Sequence, residues 1–303
     1  MSTKLSLIKR VTHYLKSNPG HRYTVQELAE WVMTTYPEAC DEKKRNTAAN
    51  TDDKLLLQLK WEIRSKIGAR NYIKTTAERP RRYYYTDLED QDEVIAAEAQ
   101  TYNNSNHFSL KDDLSEYELY DEVMKFLKKQ LNLDARRIDE KYSTNKRGSK
   151  GNKWLYPDII AIENLSSRWI PEVMECASLH SARITKLWSF EVKRLINRSN
   201  VREAYFQAVS NSSWANLGYL ISADIVGDDV LEELRMLSAL HGIGIMLLNK
   251  DSFMDSEIRF PAREKFNIDW LSFNRLAAVN SDTKKVIKSL RRLYLTGEMS
   301  ESL

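Results

Sequence analysis

Pro157-Asp158-Ile159-Ile160-Ala161-Ile162 and, downstream, Ser189-Phe190-Glu191-Val192-Lys193 decide how this chain folds. Each sits in a β-rich apolar run, residues 154 to 162 and 186 to 195, of the kind that forms strands buried on both faces. Such strands normally exclude ions, yet these hold Asp158, Glu191 and Lys193. The two-residue period of a strand places Glu191 and Lys193 on one face and Val192 on the other. A carboxylate and an ammonium therefore point the same way from an apolar strand, where each needs a partner or a ligand.

Working outward, Leu119, Val123, Phe126, Leu127 and Leu131 predict a helix of about four turns after Ser115-Glu116. Residues 135 to 142 predict a strand, and 143 to 153 a loop with Lys146, Arg147, Lys150 and Lys153. Beyond the second charged run, residues 200 to 213 predict a helix that carries Gln207, and 217 to 221 a buried strand. The order is helix, three strands, helix, strand, an α/β (α+β) arrangement. The 33 positions from Asp158 to Glu191 exceed a plain strand turn, so residues 164 to 185 are expected to be an insertion. Trp154, Trp188 and Trp214 lie beside apolar residues and are expected to pack in the core or at its edge. His241 is expected to end a helix, and Gly242-Ile243-Gly244 leads into a strand, which excludes a nucleotide fingerprint. Residues 266 to 295 predict a closing helical segment, packed on the sheet or on a second copy.

The 303 residues suit two compact units. Nine Gly and six Pro exclude collagenous or largely disordered chains. No apolar run approaches the roughly 20 residues of a membrane span, and residues 1 to 10 lack a secretory apolar segment, so a cytoplasmic protein is expected. Cys40 and Cys176 are far apart, which excludes a disulfide framework and a cysteine-ligated zinc site. The five His are scattered too, so any metal must rely on carboxylates, which favours a hard ion such as magnesium.

The net charge of +3 hides a local pattern: residues 1 to 87 carry +7, 88 to 115 carry −6, and 116 to 303 carry +2. The middle stretch, acidic and then Asn-rich, reads as a linker, with a short helix over 93 to 101. In the first stretch, Leu5, Ile8, Val11 and Leu15 predict one helix. Thr24 with Glu27 is a capping box for a second. Leu55, Leu59, Ile63 and Ile67 write a third, and residues 72 to 86 form a hairpin with a basic tip. Three helices and a hairpin predict a winged helix. Lys54, Gln58, Lys60 and Arg64 would face a DNA groove, and Arg79, Arg81 and Arg82 on the wing would meet phosphates. The alternative is a protein-contact module whose basic residues are merely solvated.

Pro157-Asp158, then Glu191-x-Lys193 on the next strand, then the helix with Gln207, resembles the PD-(D/E)xK nuclease superfamily. The longer runs Trp154-Leu155-Tyr156-Pro157-Asp158, Ser189 through Lys193, Tyr205 through Asn216 and Gly242-Ile243-Gly244-Ile245 resemble the HrgA-like bacterial restriction-associated proteins, which carry a winged helix in front. The resemblance implies a restriction-endonuclease-like core over residues 116 to 303, behind a DNA-binding domain (1 to 87) and an acidic linker (88 to 115). It implies a magnesium-dependent DNA endonuclease, with manganese as a substitute, that restricts foreign or modified DNA. Asp158, Glu191 and the carbonyl of Val192 would hold metal, and Lys193 would orient the attacking water. Glu118 would act through water, and Gln207 would touch the metal's water or the nucleic acid. The loop with Lys146, Arg147, Lys150 and Lys153 would clamp phosphate. Cutting both strands of duplex DNA calls for a homodimer or two successive events. A DNA-binding regulator or adaptor that does not use the acids is the competing class, and action on RNA or single strands a third.

Overall fold

The computed structural model describes residues 5–47, 49–67, 72–77, 79–99, 116–144, 152–180, 182–249 and 251–297. The N-terminal unit runs α1 (Leu7–Ser17), β1 (Tyr23–Thr24), α2 (Val25–Thr35), α3 (Pro37–Asn46), α4 (Asp52–Lys66), β2 (Ile73–Thr75) and β3 (Arg82–Tyr85), and α5 (Asp90–Ala99) follows. Thr24 caps α2 as expected: its hydroxyl accepts from the Glu27 amide at 3.2 Å, and its own amide donates to the Glu27 carboxylate at 2.7 Å. Val11, Leu15, Leu28, Val32, Leu55, Leu59 and Ile63 form one core beneath the sheet of order β1-β3-β2. Four helices stand where three were expected. The extra one, α3, starts at Pro37 and buries only Ala39 and Cys40, too little apolar periodicity to announce itself.

The second unit runs α6 (Glu116–Leu131), β4 (Asp134–Arg137), β5 (Ile159–Asn164), α7 (Pro171–Leu179), β6 (Thr185–Lys193), α8 (Val201–Asn211), β7 (Leu217–Ser222), α9 (Asp228–His241), β8 (Gly244–Leu247), β9 (Glu257–Phe260), α10 (Trp270–Val279) and α11 (Ser281–Thr296). Its sheet has the order β4-β5-β6-β7-β8-β9. β4, β5 and β6 form an antiparallel meander, β6, β7 and β8 run parallel, and β9 returns antiparallel. Residues of β5 alternate between two cores: Ile159 and Ala161 meet α6, while Ile160 and Ile162 meet α10 and α11. On that second side α8 and α9 cover β7 and β8. The closing helices thus pack on the sheet. The expected insertion is α7 with its flanks at the tip of the β5–β6 hairpin, so the two charged strands pair directly, from Ile159 opposite Phe190 to Asn164 opposite Thr185.

Several boundaries moved. The expected strand over 154 to 162 begins only at Ile159, because residues 152 to 155 turn, and Trp154 is 47% exposed rather than packed. Trp214 is buried and stacks on Phe273 at 4.5 Å, and Trp188 stacks on Tyr219 at 5.5 Å. His241 ends α9, and Gly242 adopts the left-handed conformation (φ 81°) that closes the helix. Among the described residues no helix is long and apolar enough to cross a membrane.

The acidic stretch is not only a tether. α5 is wedged between the units: Lys74 of β2 pairs with Asp90 and with Glu93 (2.7 Å), and Tyr84 donates to Glu93 at 2.8 Å. Asn197 of the second unit donates to the Asp90 carbonyl at 2.7 Å, and Tyr84, Val94, Leu195 and Val226 share a small core. Partners for its acids turn a charge-rich segment, which by composition should stay solvated, into an ordered joint. Residues 100 to 115 lie outside the described residues.

Candidate active site

The β5–β6 ladder ends with Ile159 opposite Phe190, so Asp158 enters β5 directly across from Glu191. Asp158 then takes over the edge of β6: its Oδ2 accepts from the Val192 amide at 2.7 Å and its Oδ1 from the Tyr120 hydroxyl of α6 at 3.2 Å. Glu191 points to the α8 side and is 1% exposed. Its Oε1 accepts from Lys193 Nζ at 2.7 Å and its Oε2 from Asn211 Nδ2 at 3.0 Å. The period-two reading of Glu191 and Lys193 is realised as this ion pair. Asp158, Glu191 and Lys193 stand together at the end of two neighbouring strands.

Burial, and then the negative charge of Asp158, push the Glu191 carboxyl up to about 8; Lys193 and Asn211 pull the other way without cancelling this. Lys193 is held above the usual lysine range, since the carboxylates of Glu191 and Asp158 outweigh the cost of burying its charge.

The donor set fits a hard cation. Asp158 and Glu191 offer carboxylate oxygens whose mutual repulsion a cation would relieve. The Val192 carbonyl leaves β6 on the Asp158 side, because the next carbonyl, of Lys193, accepts from Ala223 on the β7 side. Among the described residues no group of three His, Cys, Asp or Glu gathers, so these side chains alone do not close a metal shell.

α8 supplies the remaining contacts, though not as expected. Gln207 is buried and donates to the Lys153 carbonyl at 3.1 Å; it does not bond the two acids. One turn later Asn211 does reach one of them, Glu191. Its amide also donates to the carbonyls of Lys153 (3.2 Å) and Tyr156 (2.8 Å), fastening the segment before Asp158 to Glu191. Gly218 of β7 lets α8 come this close, for a Cβ there would collide with Ser212 and Ile243. Asn211 and Tyr120 were missed in the sequence. A signal existed for the first, four residues after Gln207 and so on the same helix face, but none for the second. Glu118 is exposed on α6, and Tyr120 of the same helix reaches Asp158.

The expected DNA contacts divide. Lys54 and Arg64 are exposed on α4. Lys60 instead donates to Gln26 of α2 at 2.6 Å, and Gln58 to Glu62 at 2.8 Å, so both are engaged within the unit. Arg79 is exposed at the wing tip, but Arg81 pairs with Asp228 through two bonds (2.7 and 3.0 Å) and Arg82 pairs with Asp251. Wing backbone also joins the second unit, with the Ala77 amide donating to the Ile225 carbonyl at 2.7 Å. The wing is therefore docked, and two of its three arginines pair with carboxylates of the second unit, Arg81 while still half exposed. Lys153 pairs with Glu203 at 2.7 Å. Lys146, Arg147 and Lys150 lie outside the described residues. Neither a family model, nor a curated protein, nor a solved structure matches this chain.

Proposed function

We propose that the protein is a magnesium-dependent endonuclease that hydrolyses phosphodiester bonds of duplex DNA, with a fold of the restriction-endonuclease type behind a winged helix. The observation that carries this reading is the convergence of Asp158, Glu191 and Lys193 at one end of β5 and β6, with Glu191 and Lys193 in direct contact at 2.7 Å. Asp158, Glu191 and the Val192 carbonyl would hold the magnesium, which when bound would neutralise phosphate charge and lower the pKa of a coordinated water. The chain's own groups do the rest. Lys193 presents its ammonium toward the scissile phosphate and stabilises negative charge as it develops. Asn211 keeps Glu191 in place, and the Val192 amide keeps Asp158 in place, so neither acid must reorganise when substrate arrives. The N-terminal unit, at +7, supplies general attraction for the polyanion. Restriction of foreign or modified DNA in the cytoplasm, by a pair of chains on one duplex, is the setting that fits.

The test is plasmid cleavage by the full-length protein with Mg²⁺ or Mn²⁺, on methylated and unmethylated DNA. Asp158→Ala, Glu191→Ala and Lys193→Ala should each abolish cutting and leave duplex binding intact. Duplex binding without cleavage on every substrate and with either ion would instead identify a regulator or adaptor, and cleavage confined to RNA or single strands would redirect the substrate.

A further inference from the structure

The side of α4 turned away from the core is unusual for a protein surface. Leu55, Leu59 and Ile63 face inward, and the opposite ridge presents Lys54, Leu57, Trp61 and Arg64 at successive three- and four-residue steps. Leu57 is 64% exposed and Trp61 is 67% exposed. The polar residues that could have read bases, Gln58 and Lys60, are tied to Glu62 and Gln26. Glu62 is itself held by Lys43 at 2.7 Å. Apolar side chains are thus left at the centre of a helix face, with a cation on either side and no ion pair of Lys54 or Arg64 among the described residues.

We infer that Leu57 and Trp61 read the C5-methyl groups that project into the major groove of duplex DNA, while Lys54 and Arg64 hold the flanking phosphates. The inference rests on the DNA-binding half of the proposed function and not on hydrolysis. Cationic flanks argue for a polyanionic occupant, the groove of about 12 Å admits a helix, and the methyl is the one apolar feature of a base edge there. Thymine carries it in ordinary DNA and 5-methylcytosine in modified DNA. The docked wing adds to the argument, because Arg81 and Arg82 lie on carboxylates while Lys54 and Arg64 of α4 have no ion pair among the described residues.

The test needs no cleavage and is run in EDTA. Random 30-base-pair duplexes are enriched on the full-length protein, then rebuilt with deoxyuridine for thymidine or with 5-methylcytosine for cytosine, and affinities are measured at fixed salt. Removing the thymine methyls should weaken binding by roughly fourfold for each methyl buried. Trp61→Ala and Leu57→Ala, at exposed positions, should bind thymine and deoxyuridine duplexes equally while keeping the wild-type melting temperature. A gain with 5-methylcytosine assigns the modified base as a second source of the methyl. Equal affinity of the wild type for thymine, deoxyuridine and methylated duplexes overturns the inference but spares DNA binding. Absence of any duplex binding overturns both and leaves the ridge to a protein partner.

Discussion

Two ion pairs in this chain have the same length and opposite surroundings. Arg81 and Asp228, between the wing and α9, meet at 2.7 Å with both side chains about half exposed or more; Glu191 and Lys193, on β6, meet at 2.7 Å with Glu191 almost wholly enclosed. Water screens the first pair, so its attraction is small and easily exchanged. The second has been taken out of water and stands beside a further carboxylate, so its charges are costly unless all are matched. Distance alone would rank the pairs as equals. Surroundings make one a fastener and the other the place where the proposed cation would bind.

The comparison breaks most sharply on cleavage. Asp158→Ala or Lys193→Ala should slow plasmid cutting on the order of 10³-fold or more, the scale for losing a group that stabilises transition-state charge. Arg81→Ala should leave the rate within about twofold. Comparable losses at both pairs, measured under single-turnover conditions, would mean that the wing contributes to chemistry and that burial is not what sets them apart.

Stability should separate them next. Glu191→Ala leaves the Lys193 ammonium buried beside Asp158 alone, and loss of one partner of an enclosed pair costs about 3–5 kcal/mol. Glu191→Gln keeps the shape, leaves Asn211 an acceptor oxygen and removes the repulsion from Asp158, so it should cost far less. Urea unfolding of both variants tests this. A cost under about 1 kcal/mol for Glu191→Ala would mean that water already reaches the pair.

A pH-dependence follows from the same burial. Because the folded-state pKa of Glu191 is raised to about 8 from an ordinary 4.5, the folded chain keeps a proton that the unfolded chain has lost between those values. Its contribution to stability is therefore full below about pH 4.5 and lost as pH rises through about 8. A divalent cation must displace that proton, so its affinity should climb by up to about tenfold per pH unit below pH 8 and then level off. Isothermal titration with Mn²⁺ from pH 6 to 9 reads the slope. A flat profile would show Glu191 ionised throughout.

How much of this was legible in the sequence depends on the range of the interaction. Glu191 and Lys193 declared their shared face because strand geometry is local, and the capping box at Thr24 is local for the same reason. Asp158 was legible as an anomaly, a charge entering an apolar run. Tyr120 and Asn211 were not, because their roles arise when α6 and α8 fold onto the sheet. The partners of the wing were hidden in the same way. Arg81 and Arg82 look like phosphate ligands until Asp228 and Asp251, well over a hundred residues on, arrive beside them. Composition registers how many charges a segment has and not which of them find partners within the fold. Likewise α5 read as a tether until Lys74 and Tyr84 supplied partners for its acids.

The smallest effect sharpens the contrast from the other side. Arg81 and Asp228 form a two-bond pair, the strongest geometry open to an exposed ion pair. Even so, a double-mutant cycle over Arg81→Ala and Asp228→Ala should return a coupling of only about 0.5 kcal/mol, falling further at high salt. The reason is that the docking does not hang on this pair: the Ala77 amide bonds Ile225, Thr76 bridges Val226, and Tyr84 and Val94 are buried against Leu195 and Val226. Those contacts persist in every variant of the cycle, so they hold the side chains' neighbours in place and isolate the ionic contribution. A coupling above about 2 kcal/mol that salt does not reduce would place the pair in an environment as dry as that of Glu191 and Lys193, and the distinction between fastener and site would then have to rest on Asp158 alone.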